Sequence, residues 1–173
     1  MNTKENQIKQ WFEDWRSTIL NVTITSIKKK LEKEILVNDF NQLNNVINLL
    51  SGIGTKTEYK YSESPIYIVV LKCLRNLIYY FNFDLEDIVN TLESTLIKKN
   101  RDYGNSFDKS INRFGWVYAA IELNKKKDRL HTLLKNKSEP NYEGIEDTLL
   151  DIAGYCVLSL VYIENYLGKE GER

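Results

Sequence analysis

The chain has few of the residues that form sharp turns, disulfides or metal–sulfur centres. Its 173 residues include two cysteines, two prolines, eight glycines and one histidine. Both Cys73 and Cys156 lie in apolar runs at helical spacing, where a thiol behaves as a small buried hydrophobe. There is no zinc-type Cys/His spacing and no glycine loop of the Walker or dinucleotide-binding kind. The scarcity of proline and glycine suits long helices with few turns.

The chain also lacks net charge and long hydrophobic runs. Its 24 basic and 24 acidic residues cancel, so no global field draws it to a nucleic-acid backbone or an anionic membrane, and no direct nucleic-acid binding is expected. The most apolar stretches, 66–81 and 152–167, are interrupted by charged and amide side chains, which excludes membrane spans. Residues 1–10 are polar where a signal peptide needs an apolar region. We therefore expect a cytoplasmic protein.

Hydrophobic residues make up 42% of the chain, enough for one core, and they recur at three- or four-residue steps. This spacing predicts an all-α fold. The first helix runs from Ile8 to Ile35 and is weakened by the β-branched residues within 21–25, where a kink or break is expected. Asp39 is the predicted N-cap of a second helix, which ends at the glycines of 52–54.

The rest of the chain predicts four more helices. A polar loop, 55–64, precedes the third helix, and Ser64 and Pro65 are its expected start. The last four predicted helices span about 66–81, 84–100, 114–134 and 145–163, with a polar loop at 101–108 and a turn containing Pro140 and Gly144. About six helices in one bundle-like domain are expected, with the bundle formed by the last three or four.

Two acidic residues of the last helix are candidates for metal binding. Asp147 and Asp151 are four residues apart, so they lie on the same face where this helix enters the core. Mg²⁺ prefers oxygen ligands and keeps several waters, so two carboxylates and substrate phosphates can complete its shell. The alternative is a solvated acidic face at the positive end of the helix dipole.

Five consecutive charged residues, Lys125 to Arg129, lie on the fifth helix. Such a run is usually a solvated face. Because five charges circle the helix, however, some must point toward a neighbouring helix. Lys126 and Arg129 are then the natural phosphate contacts.

Three consecutive residues of the 101–108 loop, Asp102, Tyr103 and Gly104, combine a carboxylate, an aromatic ring and a residue that takes positive φ. They suit either a ligand-binding turn or an ordinary helix end. His131 is expected at the surface, and Trp11 and Trp15 are expected in the core or at a subunit contact.

Four blocks in order resemble the nucleotide modification associated domain 1 family, namely 98–108, 114–116, 126–130 and 145–155. That family is common in phages and related mobile elements. It is similar to the all-α nucleoside triphosphate pyrophosphatases of the MazG and dimeric dUTPase kinds, which use helical carboxylates to bind Mg²⁺ and hydrolyse the α–β phosphate bond of a (d)NTP. The resemblance covers about 84–167.

The resemblance implies roles for particular residues. Asp102, Tyr103 and Gly104 match the family's loop motif, Lys126 and Arg129 its basic motif, and Asp147 and Asp151 its acidic pair, implied to hold Mg²⁺ and act in catalysis. Two departures matter. Lys125 stands where family members commonly have Asp, and Gly154 stands where they commonly have Asn. Both changes weaken the case for turnover more than the case for phosphate binding.

Three functions follow as hypotheses. The first is a phage-type, Mg²⁺-dependent (d)NTP pyrophosphohydrolase in the host cytoplasm. The second is a protein that binds a nucleotide or nucleotide-derived signal without turnover, as an anti-defence sponge does. The third is a helical interaction module with Trp11 and Trp15 on the partner face. Residues 84–173 are expected to form the nucleotide-handling core and 1–83 a helical extension packed on it. A homo-oligomer, a dimer or higher, is expected because such bundles often bury an apolar face between subunits.

Overall fold

The structure is a computed structural model that describes residues 3–28, 35–52, 65–136 and 144–167. The described residues form seven α-helices and contain no strand, which confirms the all-α prediction. The helices are α1 (Thr3–Lys28), α2 (Ile35–Gly52), α3 (Pro65–Phe81), α4 (Leu85–Tyr103), α5 (Ser106–Phe114), α6 (Val117–Lys135) and α7 (Ile145–Tyr162). A π-helical turn, Ile163–Leu167, continues α7. The predicted loop at 55–64, Ser64 and Pro140 lie outside the described residues.

The first two helices differ from their predicted bounds. The β-branched residues within 21–25 do not interrupt α1, and α1 ends at Lys28 rather than Ile35. Helix α2 begins at Ile35, so the prediction that Asp39 is its N-cap is wrong. Leu36 lies four residues before Phe40, so the apolar spacing of α2 begins earlier than the prediction assumed. Asp39 therefore lies inside the helix.

Helix α4 begins where predicted and ends later. The Asp84 Oδ1 atom accepts hydrogen bonds from the backbone N–H groups of Glu86, at 2.9 Å, and Asp87, at 3.1 Å, so Asp84 is the N-cap of α4. Gly104, with φ of 59°, ends the helix and donates its N–H to the carbonyl of Asn100. The predicted end near Asn100 is therefore three residues too early.

The predicted loop at 101–108 is wrong, because most of it is helical. Only Gly104 and Asn105, both in the left-handed region, separate α4 from α5. Helix α5 was missed because its residues are mostly polar, although Phe107 and Ile111 are buried one turn apart. Gly115, with φ of 73°, and Trp116 then separate α5 from α6.

One apolar core joins all seven helices. Helix α3 forms its most extensive contacts with α7, while α2 packs on α6 and α1 packs on α4. Cys73 of α3 and Cys156 of α7 are both buried free thiols, as the sequence predicted. Burial of the Cys156 thiol raises its pKa well above the usual value.

None of the helices in the described part of the chain is long and apolar enough to cross a membrane.

Candidate functional site

A pocket of about 610 Å³ opens between α4 and α7, with α5 and α6 closing its sides. Its volume lies within the range of about 300–1,000 Å³ that is typical of small-molecule sites. Helices α4 and α7 run antiparallel across it, since Lys99 pairs with Asp151 whereas Leu96, one turn earlier, lies against Gly154. The pocket is therefore a groove with helical walls.

The α4 wall is a stripe of side chains at four-residue steps. Thr91, Thr95, Lys99 and Tyr103 all line the pocket, and this spacing places them on one face. Tyr103 is 68% exposed and stands at the rim, in the last turn of α4 before Gly104. The wall thus offers two hydroxyls, one cation and one accessible aromatic ring.

The α7 wall carries the two predicted acids and a glycine. Asp147, Asp151 and Gly154 line the pocket from successive turns. A Cβ atom at Gly154 would lie 3.2 Å from a terminal methyl carbon of Leu96, which is tighter than an ordinary contact. The absence of a side chain at Gly154 is what lets α4 and α7 approach closely at this point.

Asp151 is bound by two lysines from two different helices. Lys99 Nζ of α4 lies 2.9 Å from Asp151 Oδ1, and Lys126 Nζ of α6 lies 2.6 Å from Oδ2. Burial alone raises the pKa of Asp151, but the hydrogen bonds and charges of the two lysines outweigh burial and hold it below its usual value. Asp151 is therefore an anion with both oxygens engaged.

Asp147 lies at the mouth of the pocket, in the first turn of α7. Its Oδ2 atom accepts a hydrogen bond from the backbone N–H of Gly144 at 3.3 Å, so the carboxylate also helps to cap the helix. It is exposed, in contrast to Asp151. The two acids differ in role, because one caps α7 and the other joins three helices.

The donor set for a metal is small. Within the described ranges, no cluster of three or more histidine, cysteine, aspartate or glutamate side chains is placed to bind a metal ion. Glu93, a further acid of α4, pairs with Arg16 of α1. Asp147 and Asp151 lie on one face of α7 and line the same pocket, and carboxylate oxygens are the ligands that Mg²⁺ prefers.

Three aromatic side chains, the aromatic group of the pocket, lie beside its charged group, which consists of Lys99, Lys126, Asp147 and Asp151. The ring centroids of Phe107 and Tyr118 are 5.9 Å apart, those of Phe107 and Tyr155 are 6.2 Å apart, and all three residues line the pocket. The Tyr155 hydroxyl donates to Glu122 Oε2 at 3.1 Å. Burial and the nearby Glu122 carboxylate raise the pKa of Tyr155. This ring group therefore stays neutral.

The pocket contains four of the seven predicted site residues: Tyr103, Lys126, Asp147 and Asp151. Asp102 is exposed, Gly104 serves as the cap of α4, and Arg129 lies half-buried on α6; these three are not among the lining residues. His131 is exposed, as predicted. Trp11 is buried in the core, and it stacks on Trp15, which is half-buried and packs against the core.

Residues 99–163 match the family model described as Nucleotide modification associated domain 1. The resemblance stated from the sequence motifs is thereby confirmed for this segment. A search of the curated proteins and a search of the solved structures each returned no match. The segment that matches nucleotide modification associated domain 1 holds Lys99, Lys126, Asp147 and Asp151, and hence the whole charged group of the pocket.

Several pocket residues were missed from the sequence, and two of them carry a sequence signal that could have identified them. Lys99 lies four residues before Tyr103, so a helix continued through the predicted loop would have placed both on one face. Tyr155 likewise follows Asp151 by one turn, and it lies inside a motif already matched to nucleotide modification associated domain 1. No local pattern pointed to Phe107 or Tyr118, because their role depends on how α5 and α6 pack.

Proposed function

We propose that the pocket between α4 and α7 binds a nucleotide or a nucleotide-derived small molecule. The observation that carries this proposal is the convergence of Lys99 and Lys126 on Asp151 inside a cavity walled by aromatic rings. Two ammonium groups suit phosphate oxygens, and aromatic faces suit a stacked base. The match of the same segment to a nucleotide modification associated domain supports this ligand class.

The charged group and the aromatic group of the pocket are spaced so that one ligand can contact both. On α7, Tyr155 lies one turn beyond Asp151, and on α6, Tyr118 lies two turns before Lys126. At about 1.5 Å of rise per residue, the aromatic and charged side chains are offset by about 6 Å along α7 and about 12 Å along α6, a span that one nucleotide covers from its phosphate to its base. We place the phosphates at Lys99 and Lys126 and the base against the rings of Phe107, Tyr118 and Tyr155.

Asp151 neutralises part of the positive charge that Lys99 and Lys126 bring to the pocket. An incoming phosphate has to compete with the Asp151 carboxylate for the two lysines, and the two acids together cancel the charge of the two lysines. A divalent cation bound by Asp147 and Asp151 would remove that competition. Mg²⁺ bound there would neutralise phosphate charge and activate a water. With the cation on Asp151, Lys99 and Lys126 would donate to phosphate oxygens in place of that carboxylate.

The proposal is tested by calorimetry with a panel of ribo- and deoxyribonucleotides, each with Mg²⁺ and with a chelator. We expect at least one nucleotide to bind and expect the double variant Lys99→Met, Lys126→Met to lose that binding. Lys135→Met, which removes an exposed lysine at the far end of α6, is the matched control and is expected to bind as the parent does. Failure of every nucleotide to bind would refute the proposal.

Hydrolysis of a (d)NTP to a monophosphate and pyrophosphate is a second candidate, which the shared face of Asp147 and Asp151 favours. The pairing of both Asp151 oxygens with lysines favours binding without turnover. Pyrophosphate release from the nucleotides that bind separates the two. Release that Asp151→Asn abolishes supports the enzyme, whereas recovery of the intact ligand from heat-denatured protein supports sequestration. A helical interaction module predicts no nucleotide binding.

A further inference from the structure

Two adjacent residues of α1, Lys4 and Glu5, form ion pairs with the helices on either side of the α4–α5 turn at Gly104 and Asn105. Lys4 Nζ donates to Asp108 Oδ1 of α5 at 2.7 Å, across 104 positions of sequence. Glu5 accepts from Arg101 of α4, whose Nη2 lies 3.2 Å from Oε2 and whose Nε lies 3.4 Å from Oε1. One ion pair therefore lies before Gly104 and Asn105, and the other lies after them.

The Lys4–Asp108 pair is buried, and it supports the turn directly. The side chains of Lys4 and Asp108 are 2% and 3% exposed. The second oxygen of Asp108 accepts from the Asn105 amide at 3.2 Å, so this carboxylate links α1 to a residue held at positive φ. A carboxylate and an ammonium so enclosed depend on each other, because removing one leaves a buried charge.

The turn carries pocket residues on both sides. Tyr103 immediately precedes Gly104, while Ser106 and Phe107 immediately follow Asn105, and all three line the pocket. Any displacement of α5 relative to α4 changes the separation of Tyr103 and Phe107. Lys4 and Glu5 lie outside the segment that matches nucleotide modification associated domain 1.

We propose that Lys4 and Glu5 are positioning residues of the nucleotide pocket: they hold the α4–α5 turn so that Tyr103 and Phe107 face one ligand. This inference rests on the proposed function of the pocket and gives α1 a part in ligand binding. The two residues act through Asp108 and Arg101 and do not themselves line the pocket.

Arg16 supplies a matched control on the same helix. It donates to Asn90 and pairs with Glu93, which ties α1 to the first half of α4, away from the turn. Lys4→Met and Arg16→Met each remove one cation that joins α1 to a neighbouring helix. A purely structural role for α1 predicts that both variants change stability and ligand binding in parallel.

The experiment compares the parent, Lys4→Met and Arg16→Met at a temperature where each is folded. The readouts are calorimetric affinity for the nucleotide that the parent binds and hydrogen exchange of the backbone amides at 103–108. For Lys4→Met we expect faster exchange in that segment and affinity weaker by about tenfold or more, since small misplacements of binding groups are costly. For Arg16→Met we expect unchanged exchange there and affinity within about twofold of the parent's.

The two readouts distinguish failure of the positioning role of Lys4 and Glu5 from failure of the proposed nucleotide binding. If the parent binds no nucleotide, the proposed function fails, and exchange at 103–108 still decides whether Lys4 holds the turn. Parent-like affinity and exchange in Lys4→Met would overturn the inference, as would an equal loss of affinity in Arg16→Met. Should Lys4→Met fail to fold, Glu5→Gln, which keeps the shape of the side chain and removes its charge, replaces it with the same expected directions.

Discussion

Asp151 competes with any anionic ligand for Lys99 and Lys126, so its removal has opposite effects in two conditions. In a chelator, Asp151→Asn removes the carboxylate that competes with a ligand phosphate for the two lysines, and we expect a nucleoside monophosphate to bind tighter by about fivefold, the equivalent of roughly 1 kcal/mol. With Mg²⁺ present, the variant lacks one of two carboxylates, and we expect the metal-dependent part of the affinity to disappear. Calorimetry under both conditions checks this.

Asp128→Asn is the control for this charge change, because Asp128 is an exposed acid of the same basic run on α6 and does not line the pocket. It is expected to leave both affinities unchanged. Weaker binding of the monophosphate to Asp151→Asn in the chelator would contradict the competition between Asp151 and the ligand.

The same carboxylate makes stability depend on pH. The two lysines hold the folded-state pKa of Asp151 below its unfolded value even though burial raises it, so the unfolded state binds more protons as the solution is acidified. The stability contributed is complete above the unfolded pKa of about 4 and is lost as pH falls through the folded pKa. We expect the difference in unfolding free energy between the parent and Asp151→Asn to shrink below about pH 4. Urea unfolding between neutral and acid pH measures it.

At the scale of the element, the contact of α7 with α4 depends on Gly154. An asparagine at this position, which is common in the family that the sequence motifs resemble, would push its side chain against Leu96 and Leu92. We expect Gly154→Asn to lower the free energy of unfolding by about 1–3 kcal/mol and to weaken ligand binding, since overpacking moves the helices apart.

Gly154→Ala separates crowding from backbone effects. Its Cβ atom needs only a small shift of the flexible Leu96 methyl, and alanine favours the helix by about 1 kcal/mol over glycine, so we expect a change within about 1 kcal/mol of zero. Urea unfolding of both variants decides. An asparagine variant as stable as the alanine variant would show that α4 can move aside freely.

The start of α4 depends on the Asp84 cap. Asp84→Ala leaves the N–H groups of Glu86 and Asp87 without their side-chain acceptor, and we expect a loss of about 1 kcal/mol in the free energy of unfolding. Asp84→Asn keeps an acceptor oxygen in the same place and is expected to lose less. Equal losses in chemical denaturation would mean that charge near the helix dipole, rather than the hydrogen bonds, accounts for the effect.

Helices were predictable from sequence where apolar spacing and caps agreed, as at Asp84 and along α7. Prediction failed at 101–108, where polar residues form the end of α4 and the start of α5, and where Asp108 of α5 is buried against a distant partner, Lys4. The candidate site was predictable as far as single helices allow, which includes Asp147 and Asp151 on one face of α7. The pairing of Lys99 with Asp151 joins residues 52 positions apart and has no local signature.

At the scale of the whole molecule, the segment that matches nucleotide modification associated domain 1 shares its core with helices that lie outside it. Helix α7 has its most extensive contacts with α3, and α6 packs on α2, both of which lie outside residues 99–163. The buried face of α3 includes Val70, Leu74 and Leu77, each fully enclosed. Burial of each such side chain contributes about 1.5–3 kcal/mol to the free energy of unfolding. The loss of α3 therefore removes several times the stability that a typical single mutation removes.

We therefore expect a fragment of residues 84–173 to lack a cooperative fold, although it contains the charged group of the pocket. Without α2 and α3, the apolar faces of α6 and α7 are exposed to water, and exposed faces of this size favour association or collapse without fixed packing. Circular dichroism with thermal melting tests the fragment alone. Co-expression with a second fragment of residues 1–83 is the control, and we expect it to restore a single sharp transition because it returns the missing faces. A sharp, reversible transition in the 84–173 fragment alone would mean that this half is an independent core and that 1–83 is an accessory layer.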